Sequence, residues 1–365
     1  MIEKQRSFRG CLLGMAVGDA MGYAVDRKTL SQICADYGPN GLLGYDLVNG
    51  YADVTSYTQI AAFIANGLLF GITRGQLRGV MAPPVRYIDL ALREWSRSQQ
   101  FSDLQKNYCW LSTVPELKRR HCMDNWMLGT LTKEHLGTME EPINNSSHPA
   151  TLTEAIPIAM LSSGLNLEQA EANRLAAEAV ALTHGNPEAF LSAAALTLAM
   201  SRIFSEEEID PETLAKETLN EIQLQFGREY HQTAKLWELC QLAITLSQSE
   251  STTAMEAMEL LRCQTAPEVL AGVLYACITC RRDFDAAMIT AVNHSGRSAA
   301  VGAITGAILG ARMGEQALPE FYLESLEPTP YLLELSDDLT QGCPMVADSN
   351  LFDDDWDRKY VHAGL

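Results

Sequence analysis

Apolar residues recur at intervals of three and four from residue 8 to about residue 335, with only short breaks. That pattern restricts the chain to packed helices, because a half-buried strand would alternate every second residue. The segments SFRGCLLGMAVGDAMGYAV (7–25), TSYTQIAAFIANGLLFGI (55–72), TLTEAIPIAMLSSG (151–164) and NLEQAEANRLAAEAVALTH (166–184) all show it. So do NPEAFLSAAALTLAMSRIF (186–204), REYHQTAKLWELCQLAITLS (228–247), APEVLAGVLYACITCR (266–281) and AAVGAITGAILGARMG (299–314). Asn186-Pro187 and Asp210-Pro211 read as N-cap followed by first helical residue, and Gly164 and Gly185 are placed as helix stops. Alternating β-branched strands are absent, so the expected class is all-α. The Ala- and Gly-rich segment 299–314 can approach its neighbours closely, which suits a helix at the centre of a multi-helix bundle.

No Pro/Gly/Ser-rich tract or long charge run divides the 365 residues. One domain over residues 1–335 is therefore expected, followed by an acidic tail over 336–365. At 47% hydrophobic residues the chain can bury a sizeable core. The formal charge, 27 minus 46 or −19, repels a phosphate backbone, and the basic runs LKRRH (117–121) and CRR (280–282) are too short to reverse that. Nucleic acid is not an expected partner. Nor is a membrane, since no stretch approaches about 20 uninterrupted apolar residues, and the N-terminus does not read as a signal peptide. Nine irregularly spaced cysteines fit reduced thiols, and the lone Cys277/Cys280 pair lacks the second pair a zinc site needs. A cytoplasmic location is expected.

Five stretches in order, FRGCLLGMAVGDAMGYAVD (8–26), TSYTQIAAFIANGLL (55–69), AIPIAM (155–160), LTHGNPEAFLSAAAL (182–196) and AVNHSGRSAAVGAITGAILGARMG (291–314), resemble the ADP-ribosylglycohydrolase family. LPEFYLESLE (318–327) is similar to the family's closing segment. The resemblance implies a single-domain orthogonal bundle of helices whose central cleft binds ADP-ribose over two divalent ions, Mg²⁺ or Mn²⁺. In that family the ions are held by carboxylates in a Thr-Asp-Asp-Thr pattern and in a later Gly-Gly-Asp-x-Asp-Thr pattern. Hard cations need oxygen ligands with charge to balance their own.

At the first of these positions the chain reads Thr55-Ser56-Tyr57-Thr58, and at the second Ser295-Gly296-Arg297-Ser298-Ala299-Ala300. All four expected carboxylates are replaced. A guanidinium about 4 Å from a divalent ion, at an effective dielectric of about 20, adds a repulsion of about 8 kcal/mol. The expectation is therefore no metal cofactor. The cleft positions carried over by the resemblance are Asp19, Asp26, Thr55, Ser56, Tyr57, His184, Gly296, Arg297 and Ser298.

Several of these residues have a second reading. Asp19 is either an acidic site group or a helix carboxylate bonded to nearby backbone and hydroxyl groups. Asp26, where the family commonly places a glutamate, is the one candidate catalytic residue. His184 lies in a Thr-His pattern that the family places near the nucleotide pocket, and otherwise it bonds the last helical carbonyls before Gly185. In HPATLTE (148–154) an approximate register puts Ala150 at a family glycine and Glu154 at a family arginine. The acidic LFDDDWDRKY (351–360) reads as a solvated segment that Trp356 and Tyr360 could anchor.

Two functions compete. The first is a metal-free pseudoenzyme kept for binding an ADP-ribose-like ligand or a protein partner, its cleft closed by Tyr57 and Arg297. The second is a hydrolase that cleaves an N- or O-glycosidic bond of ADP-ribosylated proteins or a related compound, without metal and with Asp26 as base. In either case Arg297 is expected to stand in for the missing cations and to bond Asp26 or Asp19 directly.

Overall fold

The computed structural model describes residues 2–100, 107–162, 164–205, 209–345 and 353–362. Its helices are α1 (Ile2–Tyr23), α2 (Leu30–Tyr37), α3 (Ser56–Arg78), α4 (Pro84–Gln100), α5 (Asn125–Leu131), α6 (Ala155–Leu161), α7 (Gln169–Ala181) and α8 (Pro187–Ser205). Then follow α9 (Pro211–Phe226), α10 (Thr233–Ser247), α11 (Ala254–Leu261), α12 (Ala266–Thr279), α13 (Phe284–Val292), α14 (Ser298–Met313), α15 (Glu320–Glu324), α16 (Thr329–Gln341) and α17 (Asp354–Tyr360). Among the described residues β-pairing is limited to two isolated bridges, Val48–Tyr51 and Ala52–Leu326. The fold is all-α, as the periodicity requires.

The centre is a glycine seam between α1 and α14. Gly10, Gly14 and Gly18 recur every four residues on one face of α1 and meet Gly310, Gly306 and Gly302 on α14, so the two helices run antiparallel. A β-carbon on Gly14 would lie 2.2 Å from the Gly306 carbonyl oxygen, and one on Gly18 would lie 1.9 Å from that of Gly302. Only glycine lets the two backbones touch. Asp26 and Arg27 follow the C-terminal end of α1, and Arg297 is the N-cap of α14.

Helix α3 is buried from Ser56 to Thr73. It is the one described helix long and apolar enough to cross a membrane, yet most of its apolar window is enclosed by the bundle. Each large apolar side chain that it buries, Phe63 among them, contributes about 2 kcal/mol relative to exposure.

Three local expectations change. The helix expected over 151–164 is a 3₁₀ turn, Pro149–Glu154, followed by α6. Pro157 has no N–H to return to the carbonyl four residues back, so the first turn cannot be regular α-helix. Gly164 and Gly185 are not the stops, since the helices before them end at Leu161 and Ala181. Gly185 instead admits the Asn144 carbonyl, 2.3 Å from where its β-carbon would be. The tail expected to be solvated is docked over its described part. Asp353 caps α17, whose acidic first turn complements the helix dipole. Trp356 and Tyr360 are buried, with Trp356 Nε1 donating to Thr73 Oγ1 (2.9 Å) and Tyr360 Oη to Asp338 Oδ2 (2.6 Å). Its aromatics are buried, Asp353 is the cap, Asp355 pairs with Lys359 and Asp357 with His362, and Lys359 also bonds Asp338 (2.7 Å).

Candidate functional site

The start of α3 is organised from α1. Asp19 Oδ2 accepts the Thr55 N–H (2.8 Å), the Thr58 N–H (3.1 Å) and the Thr58 hydroxyl (2.7 Å), while Oδ1 accepts the Thr55 hydroxyl (2.6 Å). A helix begins with unpaired N–H groups, and here a buried carboxylate from another helix takes two of them. Burial pushes the Asp19 carboxyl up to about 6 although all four hydrogen bonds pull it down. The second reading of Asp19, a carboxylate bonded to backbone and hydroxyls, describes its place. Thr55 is the N-cap of α3, and its hydroxyl also accepts from the Tyr57 N–H.

Ser56 and Tyr57 are closed to ligands. The Ser56 hydroxyl accepts the Met123 N–H (3.0 Å) and its own N–H donates to the His121 carbonyl. Tyr57 is fully buried, its hydroxyl has no hydrogen-bond partner among the described residues, and burial holds the phenol neutral.

The second segment enters α14. The Gly296 N–H donates to His294 Nδ1, and the Ser298 hydroxyl donates to the His294 carbonyl. Ala299 is buried and gives its N–H to Asp26 Oδ1 (3.2 Å). The other Asp26 oxygen is buried without a hydrogen bond and lies 3.6 Å from Arg27 Nε. Burial raises this carboxyl to about 6, against the Ala299 hydrogen bond and the charges of Arg297 and Arg27.

Arg297 does not do what the sequence suggested. Among the described residues it makes no ion pair and no side-chain hydrogen bond, and its Nε is buried without a partner. Asp19 is saturated by α3, and Asp26 is held by a backbone N–H and by Arg27. Arg297 reaches Asp26 only through its field, and its side chain lines a cavity instead.

That cavity, of about 470 Å³, is lined by Arg27, Met123, Asp124, Asn125, Trp126, His148, Gln264, Ser295 and Arg297. The cleft is therefore open rather than closed by Arg297. Of the nine positions carried over by the resemblance, Arg297 alone is part of this lining. Asp19, Thr55, Ser56, Tyr57, Gly296 and Ser298 are buried behind it, and Asp26 is almost fully covered. Trp126, at the start of α5, is 86% exposed.

His184 is buried and is not part of the lining, but it is joined to a lining residue, Asp124, that sequence reasoning missed. Its Nε2 is 3.0 Å from Asp124 Oδ2 and its Nδ1 is 2.9 Å from Thr183 Oγ1. Among the described residues it bonds no helical carbonyl with its side chain. Asp124 Oδ1 also caps α5 by accepting the Trp126 N–H (3.0 Å). Burial raises the Asp124 carboxyl, but the His184 hydrogen bond and charge hold it below the usual range. Asp124, His148 and His184 bring one ligand-type atom each within 4.8 Å of one another. His148, however, spends Nδ1 as the acceptor of the Ala150 N–H (3.1 Å), capping the 149–154 turn. Burial, with Arg297 next, lowers its pKa to about 4, so the ring is neutral and carries its proton on Nε2. In this orientation it offers a donor, not a metal ligand. Glu154 lies elsewhere in the core, with neither carboxyl oxygen partnered among the described residues and its pKa driven well up by burial.

A model of a protein family described as ADP-ribosylglycohydrolase matches residues 2–348 of the chain. The chain belongs to the ADP-ribosylglycohydrolase family. A solved structure titled "ADP-ribosylglycohydrolase-related protein complex" is similar in fold, with a TM-score of 0.56 at 20% identity, covering 93% of this chain and 99% of that one. No curated protein matches.

Membership sharpens the question of the two metal ions. The four positions that resemble the family's carboxylates hold Ser56, whose oxygen is taken by Met123, the buried Tyr57, the cationic Arg297 and the buried Ala299. These residues do not fit a pair of divalent ions.

Proposed function

We propose that this chain is a binding protein on the ADP-ribosylglycohydrolase fold, taking an ADP-ribose-like ligand into the Arg27–Arg297 cavity without divalent metal. The observation that carries this reading is the exchange of charge at one place. Where the family presents carboxylates to cations, this chain presents Arg297 to an open cavity of about 470 Å³. The volume suits a small ligand rather than a macromolecule. The exposed Trp126 at its rim offers a flat apolar face for a planar ring, and the two guanidiniums suit a diphosphate.

The competing reading is a metal-free hydrolase with Asp26 as general base. It draws support from the carboxyl near pH 6 and its unbonded oxygen. Against it, Asp26 is 3% exposed and stands behind Arg27 rather than in the cavity lining. Release of ADP-ribose from modified arginine or serine decides between the two. The binding reading expects no release above background, with or without Mg²⁺ or Mn²⁺. Release that survives chelation and vanishes in Asp26→Asn establishes the hydrolase instead.

A further inference from the structure

The cavity wall is built from donors. Arg297 contributes a guanidinium with no protein partner among the described residues and a buried, unbonded Nε. Arg27 lines the same cavity, with Nη2 anchored on the Met123 carbonyl and Nε 3.6 Å from Asp26 Oδ2, which leaves Nη1 without a protein partner among the described residues. His148, whose Nδ1 accepts from Ala150, must present Nε2–H, and that nitrogen has no protein partner among the described residues. The one carboxylate in the lining, Asp124, has both oxygens occupied, by Trp126 N–H and by His184. Unpaired donors facing a cavity call for a ligand rich in acceptors.

We propose that the place corresponding to the family's two-cation centre is here an anion site, which holds a phosphate or diphosphate group against Arg297, Arg27 and His148. The inference rests on the cavity being the ligand site and names the chemistry recognised there. A planar guanidinium bonds a phosphoryl oxygen pair through two parallel N–H groups, and a second guanidinium balances the second negative charge. His148 supplies a neutral N–H whose direction is set by its capping bond. A divalent cation at the same place would face two guanidiniums and would require His148 to give up the Ala150 N–H before its Nε2 could offer a lone pair.

The test is calorimetric titration, in chelator, of the parent, Arg297→Ala, Arg297→Lys and Arg27→Ala with pyrophosphate, ADP-ribose and adenosine. Pyrophosphate and ADP-ribose are expected to bind the parent, at least tenfold more weakly to Arg297→Ala and Arg27→Ala, with partial recovery in Arg297→Lys. Adenosine affinity, which involves no phosphate, is expected to be the same in all four. ADP-ribose that binds parent and Arg297→Ala equally overturns the anion site while leaving the cavity as a ligand site. Pyrophosphate binding that depends on Arg297 without any ADP-ribose binding supports the anion site and removes the ADP-ribose reading. Absence of both removes the two together. A parallel titration with Zn²⁺ after the chelator is removed separates donor from ligand. Stoichiometric Zn²⁺ binding that is lost in both His148→Ala and Asp124→Asn overturns the proposal. If Arg297→Ala fails to fold, Arg27→Ala and Arg297→Lys carry the same comparison.

Discussion

Asp19 and Asp26 lie seven residues apart, both covered and both with carboxyls pushed up to about 6 by burial, yet their surroundings are unlike. Asp19 collects four hydrogen bonds from Thr55 and Thr58 and so fixes the start of α3. Asp26 collects one, from Ala299, and keeps an oxygen with none. The first region is finished by the chain itself. The second, with Arg297 Nε and Tyr57 Oη also unbonded, is left with polar groups that folding does not satisfy. Unsatisfied buried groups cost stability and are retained where something other than folding uses them.

Replacing each carboxylate by alanine gives the largest contrast. Asp19→Ala strands two backbone N–H groups and two hydroxyls in a closed space and should cost about 3–5 kcal/mol. Asp26→Ala strands one N–H and removes a buried charge, so it should change stability by about 1 kcal/mol or less. Denaturant melts at pH 7 measure both, and equal losses would erase the distinction.

A smaller effect is written in pH. The folded protein binds the Asp26 proton more tightly than the unfolded chain, whose carboxyl titrates near the ordinary 3.8. That contribution to stability is complete below about pH 4 and is lost as the pH rises through about 6; a difference of this size corresponds to about 2–3 kcal/mol. Asp26→Asn should therefore flatten part of the fall in stability between pH 4 and 7 and be the more stable protein at pH 8. A parent whose stability rises across that range would contradict the burial of Asp26.

The smallest effect is expected at Arg297. With no ion pair to break, Arg297→Ala should stay within about 0.5 kcal/mol of the parent. A loss of about 3–5 kcal/mol, expected if a buried pair were cut, would show that the guanidinium is bonded inside the protein after all.

The helices, the Asn186 and Asp210 caps and the family were legible in the sequence because each is a local pattern. The α1–α14 seam was half legible. Small residues announced close approach, but the four-residue spacing of Gly10, Gly14 and Gly18 opposite Gly302, Gly306 and Gly310 also carried its geometry. The cavity was the least legible. Arg27, the pair Asp124 and Trp126, and His148 come from three separate segments between α1 and α6, and Asp124 and His184 are sixty residues apart. No local period marks such a meeting. Family motifs pointed to the positions that resemble the family's cation ligands, and what those positions do here depended on which partners the fold had already assigned to Asp19, Ser56 and Asp26.

Calorimetry of ADP-ribose binding to the parent protein, first in chelator and then in millimolar Mg²⁺, tests the central claim most directly. The account predicts one site with the same affinity in both solutions, because Arg27 and Arg297 supply the positive charge. Binding that appears only when Mg²⁺ is present would contradict it and return a metal centre to this cleft.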